Sequence, residues 1–350
     1  MPRRVLIVAL ALAVATGIAV ERGGGRADDG DTAVTDSVER LERVLARQPS
    51  AVALGPAPLD PAESPAQPSA EPAGEPSSPP PEPEPEPEAA SPGVDLSVTP
   101  VAANDPAGLA EQILAAERAI RSTTADSELA YFGHLQQVAY RALAEHPEWD
   151  AEVSAALPED LRPVMAANVD AGRELRRPHR NPESLLPAWR IVEPAPADEL
   201  RAYYEEGEAT FGVPWEYLAA VNLTETRMGR IRGTSSAGAQ GPMQFIPSTW
   251  AAYGSGDINN PRDAILSAAR YLAANGGGSG NLPNALYRYN PASWYVNAVT
   301  AYAEQMVADE RTYRGYHAWQ VYYATSLGDV LLPVGYEATE RRPVTAADLG

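Results

Sequence analysis

Between Pro49 and Pro100 the chain cannot build a core, and that one tract decides how much of the protein is able to fold. It is low in complexity and includes an alternating Pro-Glu run from Pro81 to Glu88. Proline withdraws backbone donors and neighbouring carboxylates repel, so such a stretch stays extended, with polyproline II character, instead of collapsing. At ~3.1 Å per residue it reaches on the order of 150 Å when fully drawn out. That reach suits a spacer holding a domain away from a membrane, and an inert tail has the same composition. With 34 prolines clustered in this way, the foldable part lies downstream.

Upstream, Arg3-Arg4 precede an apolar run from Val5 to Val20. A basic start followed by an apolar stretch reads as an export signal. The run falls short of the ~20 residues that span a bilayer comfortably. Ala13-Val14-Ala15 offers an A-x-A cleavage site, with a retained anchor as the alternative. The expectation is therefore a signal peptide or membrane anchor over 1–20, a disordered Pro/Glu-rich linker over 21–105, and an extracytoplasmic protein, secreted to the envelope or tethered there.

Composition then narrows the chemistry. A net charge of −20 opposes a nucleic-acid partner, which needs a basic face. There is no cysteine and no lysine, which excludes thiol nucleophiles, Cys-ligated metals, Schiff bases and Ser–Lys dyads. The four histidines show no H-E-x-x-H pairing. No metal or cofactor is expected, and carboxylates, hydroxyls and amides are what remain.

Helical periodicity begins near Pro106. Leu109, Ile113, Ala116 and Ile120 mark a helix over 107–121. Leu129, Phe132, Leu135, Val138 and Leu143 mark a second from Glu128 to Glu145. Shorter helices are expected to about Leu175, then a loop from Pro178 to Pro196, and 106–197 reads as a helical accessory region without visible chemistry. From 198 to 310 helices are predicted at 198–211, 214–228, 247–253, 261–274, 283–289 and 292–310. Pro214 and Pro261 are expected as first helical residues. The extension from 311 to 350 changes character. Trp319, Val321 and Tyr323 alternate as in a hairpin, and their rings are expected to pack on neighbouring helices in preference to lining a sugar groove.

In the helix from Pro214, Leu218, Val221 and Glu225 share one face, which puts a carboxylate on an apolar stripe. Desolvation raises a carboxyl pKa, as a general acid requires. Glu225 is also the one acidic residue between Tyr217 and Gly256. The structural alternative is an ion pair with Arg227, Arg230 or Arg232. After Gly229 follows a small-residue loop, Gly233 to Gln244, of the kind that lets backbone approach a ligand. Short polar arms for a sugar are offered by Ser235, Gln244 and Asn290.

Here the sequence resembles the lysozyme-like lytic transglycosylases of the soluble-transglycosylase type. The likeness rests on Glu225-Thr226, then Ser235-x-x-Gly238-Ala239-x-Gly241-x-Met243-Gln244, then Tyr289-Asn290. The whole looks similar to actinobacterial secreted members, and the all-Arg, Ala- and Pro-rich composition agrees with a GC-rich genome. Thr226, Pro242 and Pro291-Ala292 depart from the family pattern without removing a catalytic group. The resemblance implies a mainly α protein with a lysozyme-like α+β catalytic domain over 198–310. It further implies peptidoglycan glycan strands as substrate and cleavage at the MurNAc-β-1,4-GlcNAc bond to leave 1,6-anhydro-MurNAc ends. Glu225 would be the single general acid/base, with Tyr289 close to its carboxyl group, orienting it or donating to it. Ser235 and Gln244 would contact acetamido groups or hold the loop, Met243 would floor the groove or only support it, and Asn290 would join them in binding. No partner beyond the glycan is implied, and a monomer is expected.

Two rivals stand beside this reading. A muramidase would use the same Glu with water and with Asp257 or Asp263 as second carboxylate. A non-catalytic wall-binding protein would keep the fold alone, although binding has no need of a buried acid.

Overall fold

The computed structural model describes residues 94–179 and 182–349. The expected signal or anchor, and the linker as far as residue 93, lie outside the described residues. Among those residues there are eleven α-helices and three two-stranded antiparallel pairs, so the protein is mainly α. None of the described helices is long and apolar enough to cross a membrane.

The helices follow the apolar spacing closely. In α1 (Pro106–Ser122) Asp105 caps the Gly108 amide at 2.9 Å and Pro106 opens the first turn. Residues just before it, assigned to the linker by composition, are held in place: the Gln112 amide bridges Ala103 N and Val101 O. The predicted stripes of α1 and α2 (Asp126–Glu145) are all buried. Next come α3 (Asp150–Ala156), α4 (Arg162–Arg176), α5 (Ala197–Phe211), α6 (Trp215–Thr226), α7 (Pro247–Tyr253), α8 (Pro261–Ala274), α9 (Leu282–Tyr289) and α10 (Ser293–Ala308). Pro261 begins its helix as expected, but Pro214 is the N-cap of α6 and Trp215 its first residue.

The largest of three buried clusters joins the accessory helices to the later ones. Ile113, Leu143 and Met165 from the accessory helices belong to the same buried cluster as Tyr204, Leu218, Ile265 and Val299. Each such side chain contributes about 1.5–3 kcal/mol. Helix α10 packs on both α4 and α6, which joins the accessory helices to the segment carrying Glu225.

The C-terminal extension holds one element that its alternation did not announce, α11 (Thr312–His317). Beyond it β4 (Val321–Thr325) and β5 (Gly328–Leu332) form the expected hairpin, Val321 opposite Leu332. Trp319 packs edge-on against Tyr302 and Tyr316, and Tyr323 against Trp189, so these rings serve packing. The two-residue strands β1 (Leu185–Leu186) and β6 (Arg342–Pro343) pair with each other. Strand β2 (Arg190–Ile191) pairs with β3 (Ile231–Arg232), which fixes the chain just beyond α6.

Candidate active site

Helix α6 is more deeply placed than an amphipathic stripe requires. Ten of its twelve residues are buried, so it has no solvated side, and burial of Glu225 follows from the helix running through the core. The helix ends where Arg227 and Met228 both adopt left-handed backbone, with φ of 54° and 59°. That turn leads into the small-residue loop immediately after the acid. Thr226 holds helix and loop together: its hydroxyl donates to Pro242 O at 2.6 Å and accepts from Gly229 N at 3.0 Å.

Glu225 is fully buried. Its Oε1 accepts one hydrogen bond, from the Tyr295 hydroxyl at 2.8 Å, and its Oε2 has no partner. Desolvation pushes the carboxyl up to about 8, opposed only by the Tyr295 hydrogen bond. At neutral pH the group is therefore largely an acid holding its proton. The ion-pair alternative does not hold. Arg227 donates to Leu223 O, Arg230 pairs with Glu193 at 3.1 Å, and Arg232 reaches Asn259 O.

The sequence directs attention to Tyr289 as the group that lies close to Glu225, orienting it or donating to it; the structure keeps Tyr289 within electrostatic reach of the carboxyl and gives the hydrogen bond to Tyr295. The Tyr289 hydroxyl donates instead to Met243 O at 2.6 Å, pinning the loop to the end of α9. The two tyrosine rings lie parallel, 6.5 Å apart. Tyr295 was missed because it lies on α10, outside the Tyr-Asn motif. The available signal was its place on the buried face of that helix, since a fully buried tyrosine hydroxyl must find a partner.

The remaining site residues divide by what their polar atoms do. Ser235 is spent on the loop itself, its Oγ accepting from Ala237 N and Ala239 N at 3.2 and 3.0 Å. Met243 is fully buried and takes part through its carbonyl. Gln244 has left-handed backbone (φ 50°) and donates from Nε2 to Gly241 O, leaving Oε1 buried without a partner. Asn290, 4% exposed, leaves Nδ2 in the same condition. Unpaired buried polar atoms are costly and gather where a ligand supplies the missing bond. Of the five such atoms among the described residues, three belong to Glu225, Gln244 and Asn290. Gly241 permits the tight loop, because at φ 73° a Cβ would sit 2.0 Å from Ile258 O.

Asp257 and Asp263 are engaged in their own turn. Asp263 Oδ2 accepts from Asp257 N at 2.9 Å, and Asp257 Oδ1 accepts from Asn259 N. No hydrogen bond or ion pair among the described residues joins either of them to Glu225.

Comparison with known proteins bears on the same segment. Among curated proteins, the membrane-bound lytic murein transglycosylase F of Thiobacillus denitrificans (strain ATCC 25259 / T1) is 36% identical over 75 residues. That match covers 21% of this chain and 16% of the relative's own length. No solved structure matches. Residues 202–309, which hold Glu225, the small-residue loop and both tyrosines, match the family described as Transglycosylase SLT domain.

Proposed function

We propose that the protein is a peptidoglycan lytic transglycosylase in which Glu225 serves in turn as general acid and general base. The observation that carries this is a buried carboxyl, raised to about 8, with no cation beside it and one oxygen unpartnered. Such a group enters the reaction protonated and gives its proton to the glycosidic oxygen between MurNAc and GlcNAc. The oxocarbenium-like centre is steadied by the sugar's own N-acetyl group. Glu225, now a carboxylate in an apolar setting, takes the proton of the muramoyl 6-hydroxyl as that oxygen closes on C1. The 1,6-anhydro ring forms, the carboxyl is protonated again, and no water is consumed.

Tyr295 positions the carboxyl and stabilises its anionic form midway through the cycle. Gln244 Oε1 and Asn290 Nδ2 provide an acceptor and a donor suited to sugar hydroxyl and acetamido groups. Tyr289 and Thr226 act on the loop through the Met243 and Pro242 carbonyls, and Ser235 acts within it. Because Glu225 is closed from solvent, sugar binding must part the groups around it, and that closure also keeps bulk water from the reacting centre. A one-carboxylate mechanism suits the site, since Asp257 and Asp263 accept from backbone amides of their own turn and neither is hydrogen-bonded to Glu225. The proposed setting is the cell envelope, with residues 1–20 as signal or tether and the tract that follows, as far as residue 93, as spacer.

The test is mass spectrometry of purified peptidoglycan digested with residues 101–350. Soluble muropeptides 18 mass units lighter than the hydrated forms, absent with Glu225→Gln, are the expected outcome. Hydrated reducing ends would replace the proposal with a muramidase, and no release on several wall types would replace it with a binding protein.

A further inference from the structure

The residue two positions beyond Glu225 lines a different cavity. Arg227 reaches a space of about 90 Å³ shared with Arg141, Arg176, Tyr302, Asn168 and Gln137, and Glu225 is not part of its wall. That is room for several waters or one small polyatomic ion.

The charges around it do not cancel. Arg141 and Arg176 both pair with Asp329, and Arg176 also reaches Glu145 at 2.8 Å. Arg227 is 6% exposed and has no carboxylate partner among the described residues. Of its five N–H donors, the one bonded among the described residues is Nη1, to Leu223 O at 2.7 Å. Three cations thus meet two carboxylates, a surplus of one positive charge. The amides are already committed, Asn168 to Val164 O and Tyr316, Gln137 to the backbone of Gln320. The Tyr140 hydroxyl is committed to Glu117. The Tyr302 hydroxyl, by contrast, has no hydrogen-bond partner among the described residues. A buried cation that lacks a counter-charge is costly, and the carbonyl end of α6 offers only a partial one.

We propose that this cavity binds a small monoanion, a carboxylate or dihydrogen phosphate, held by the Arg227 guanidinium and the Tyr302 hydroxyl. The planar fork of Arg227 suits two oxygens of one anion, Tyr302 adds a donor, and the Arg141 and Arg176 pairs with Asp329 flank the site. The surplus of one charge favours a single negative charge in the ligand. This site is separate from the reaction at Glu225 and stands whether or not that reaction is as proposed.

Isothermal titration of the full chain with sodium acetate, and separately with phosphate, in a chloride-free buffer of a bulky zwitterion, tests the assignment. Saturable binding of at least one anion is expected, weakened at least about tenfold in Arg227→Gln and severalfold in Tyr302→Phe. Acetate alone binding makes the ligand a carboxylate, and phosphate alone makes it a phosphate. Absence of saturable heat from both, up to about 50 mM and so well past a millimolar constant, overturns the proposal. Unchanged affinity in Tyr302→Phe overturns it as well, which keeps the test decisive should Arg227→Gln fail to fold.

Discussion

Two glutamates in this protein are almost equally buried and differently surrounded. Glu117, on accessory helix α1, is 1% exposed and forms an ion pair with Arg121. It also accepts from Gln136 Nε2 at 2.9 Å and from the Tyr140 hydroxyl. Glu225, on α6, is fully buried with one tyrosine donor, no cation and a bare oxygen. Burial alone therefore does not mark a catalytic acid. A carboxylate supplied with a cation and several donors has its oxygens committed to the fold. One denied them holds its proton and is able to give it away.

The contrast breaks first at Glu225→Gln. Turnover, measured as anhydro-muropeptide release, should fall toward the upper end of the ~10²–10⁴-fold range for lost general acid catalysis, because one group plays both roles. The far-UV circular dichroism of the variant should match the parent. If this variant keeps substantial activity, the distinction between the two glutamates has no catalytic meaning.

The same residue makes a stability prediction with a definite sign. Its ordinary value of 4.5 is raised to about 8 in the fold, so between those pH values the folded state holds a proton that the unfolded state has lost. Stability should then decline as pH rises through that window, by an amount on the order of a few kcal/mol, and level off above it. Glu225→Gln should lack this component and melt higher than the parent at pH 8. Denaturant midpoints across pH 5 to 9 check it.

Glu117→Gln should do the reverse. Removing the carboxylate takes from Arg121 one of its two carboxylate partners, Asp309 staying at 3.0 Å, and sets an amide N–H where an acceptor stood, at a cost of about 1–3 kcal/mol, with Arg121 partly solvated. Thermal unfolding should register the loss, and activity per folded molecule at 25 °C should not change. A silent melting curve with collapsed turnover would move Glu117 into the catalytic apparatus.

The tyrosines sharpen the comparison further. Tyr295→Phe deletes the one hydrogen bond that favours ionised Glu225. The alkaline limb of kcat/KM, expected near 8, should move upward while the rate drops about tenfold through lost positioning. Tyr289→Phe loses a bond to the loop and none to the acid. It should cost about 0.5–1.5 kcal/mol of stability and leave the alkaline limb in place. Matching pH profiles for the two variants would erase the distinction drawn between them.

Sequence spacing was enough for much of this. The apolar stripes of α1 and α2, the bounds of α7 and α8, and the hairpin after Trp319 were readable because local periodicity and helix-start prolines are short-range facts. Glu225 stood out as an isolated acid ahead of a small-residue loop. The stripe argument found its burial for an incomplete reason, since periodicity cannot tell a half-buried helix from one enclosed on every side.

What only the tertiary structure decided concerns partners distant in the chain. Tyr295 takes the place expected of Tyr289 because its hydroxyl arrives across 70 residues from another helix. The three arginines near Glu225 were sent elsewhere, to Leu223 O, Glu193 and Asn259 O, and no spacing rule announces that. The accessory helices share one core with the segment carrying Glu225 because α10 packs on α4 and α6 together. Residue identity and order determined which groups could do chemistry here. Which of them face one another was decided by packing, because the charge state of a buried group depends on neighbours that only the fold brings near.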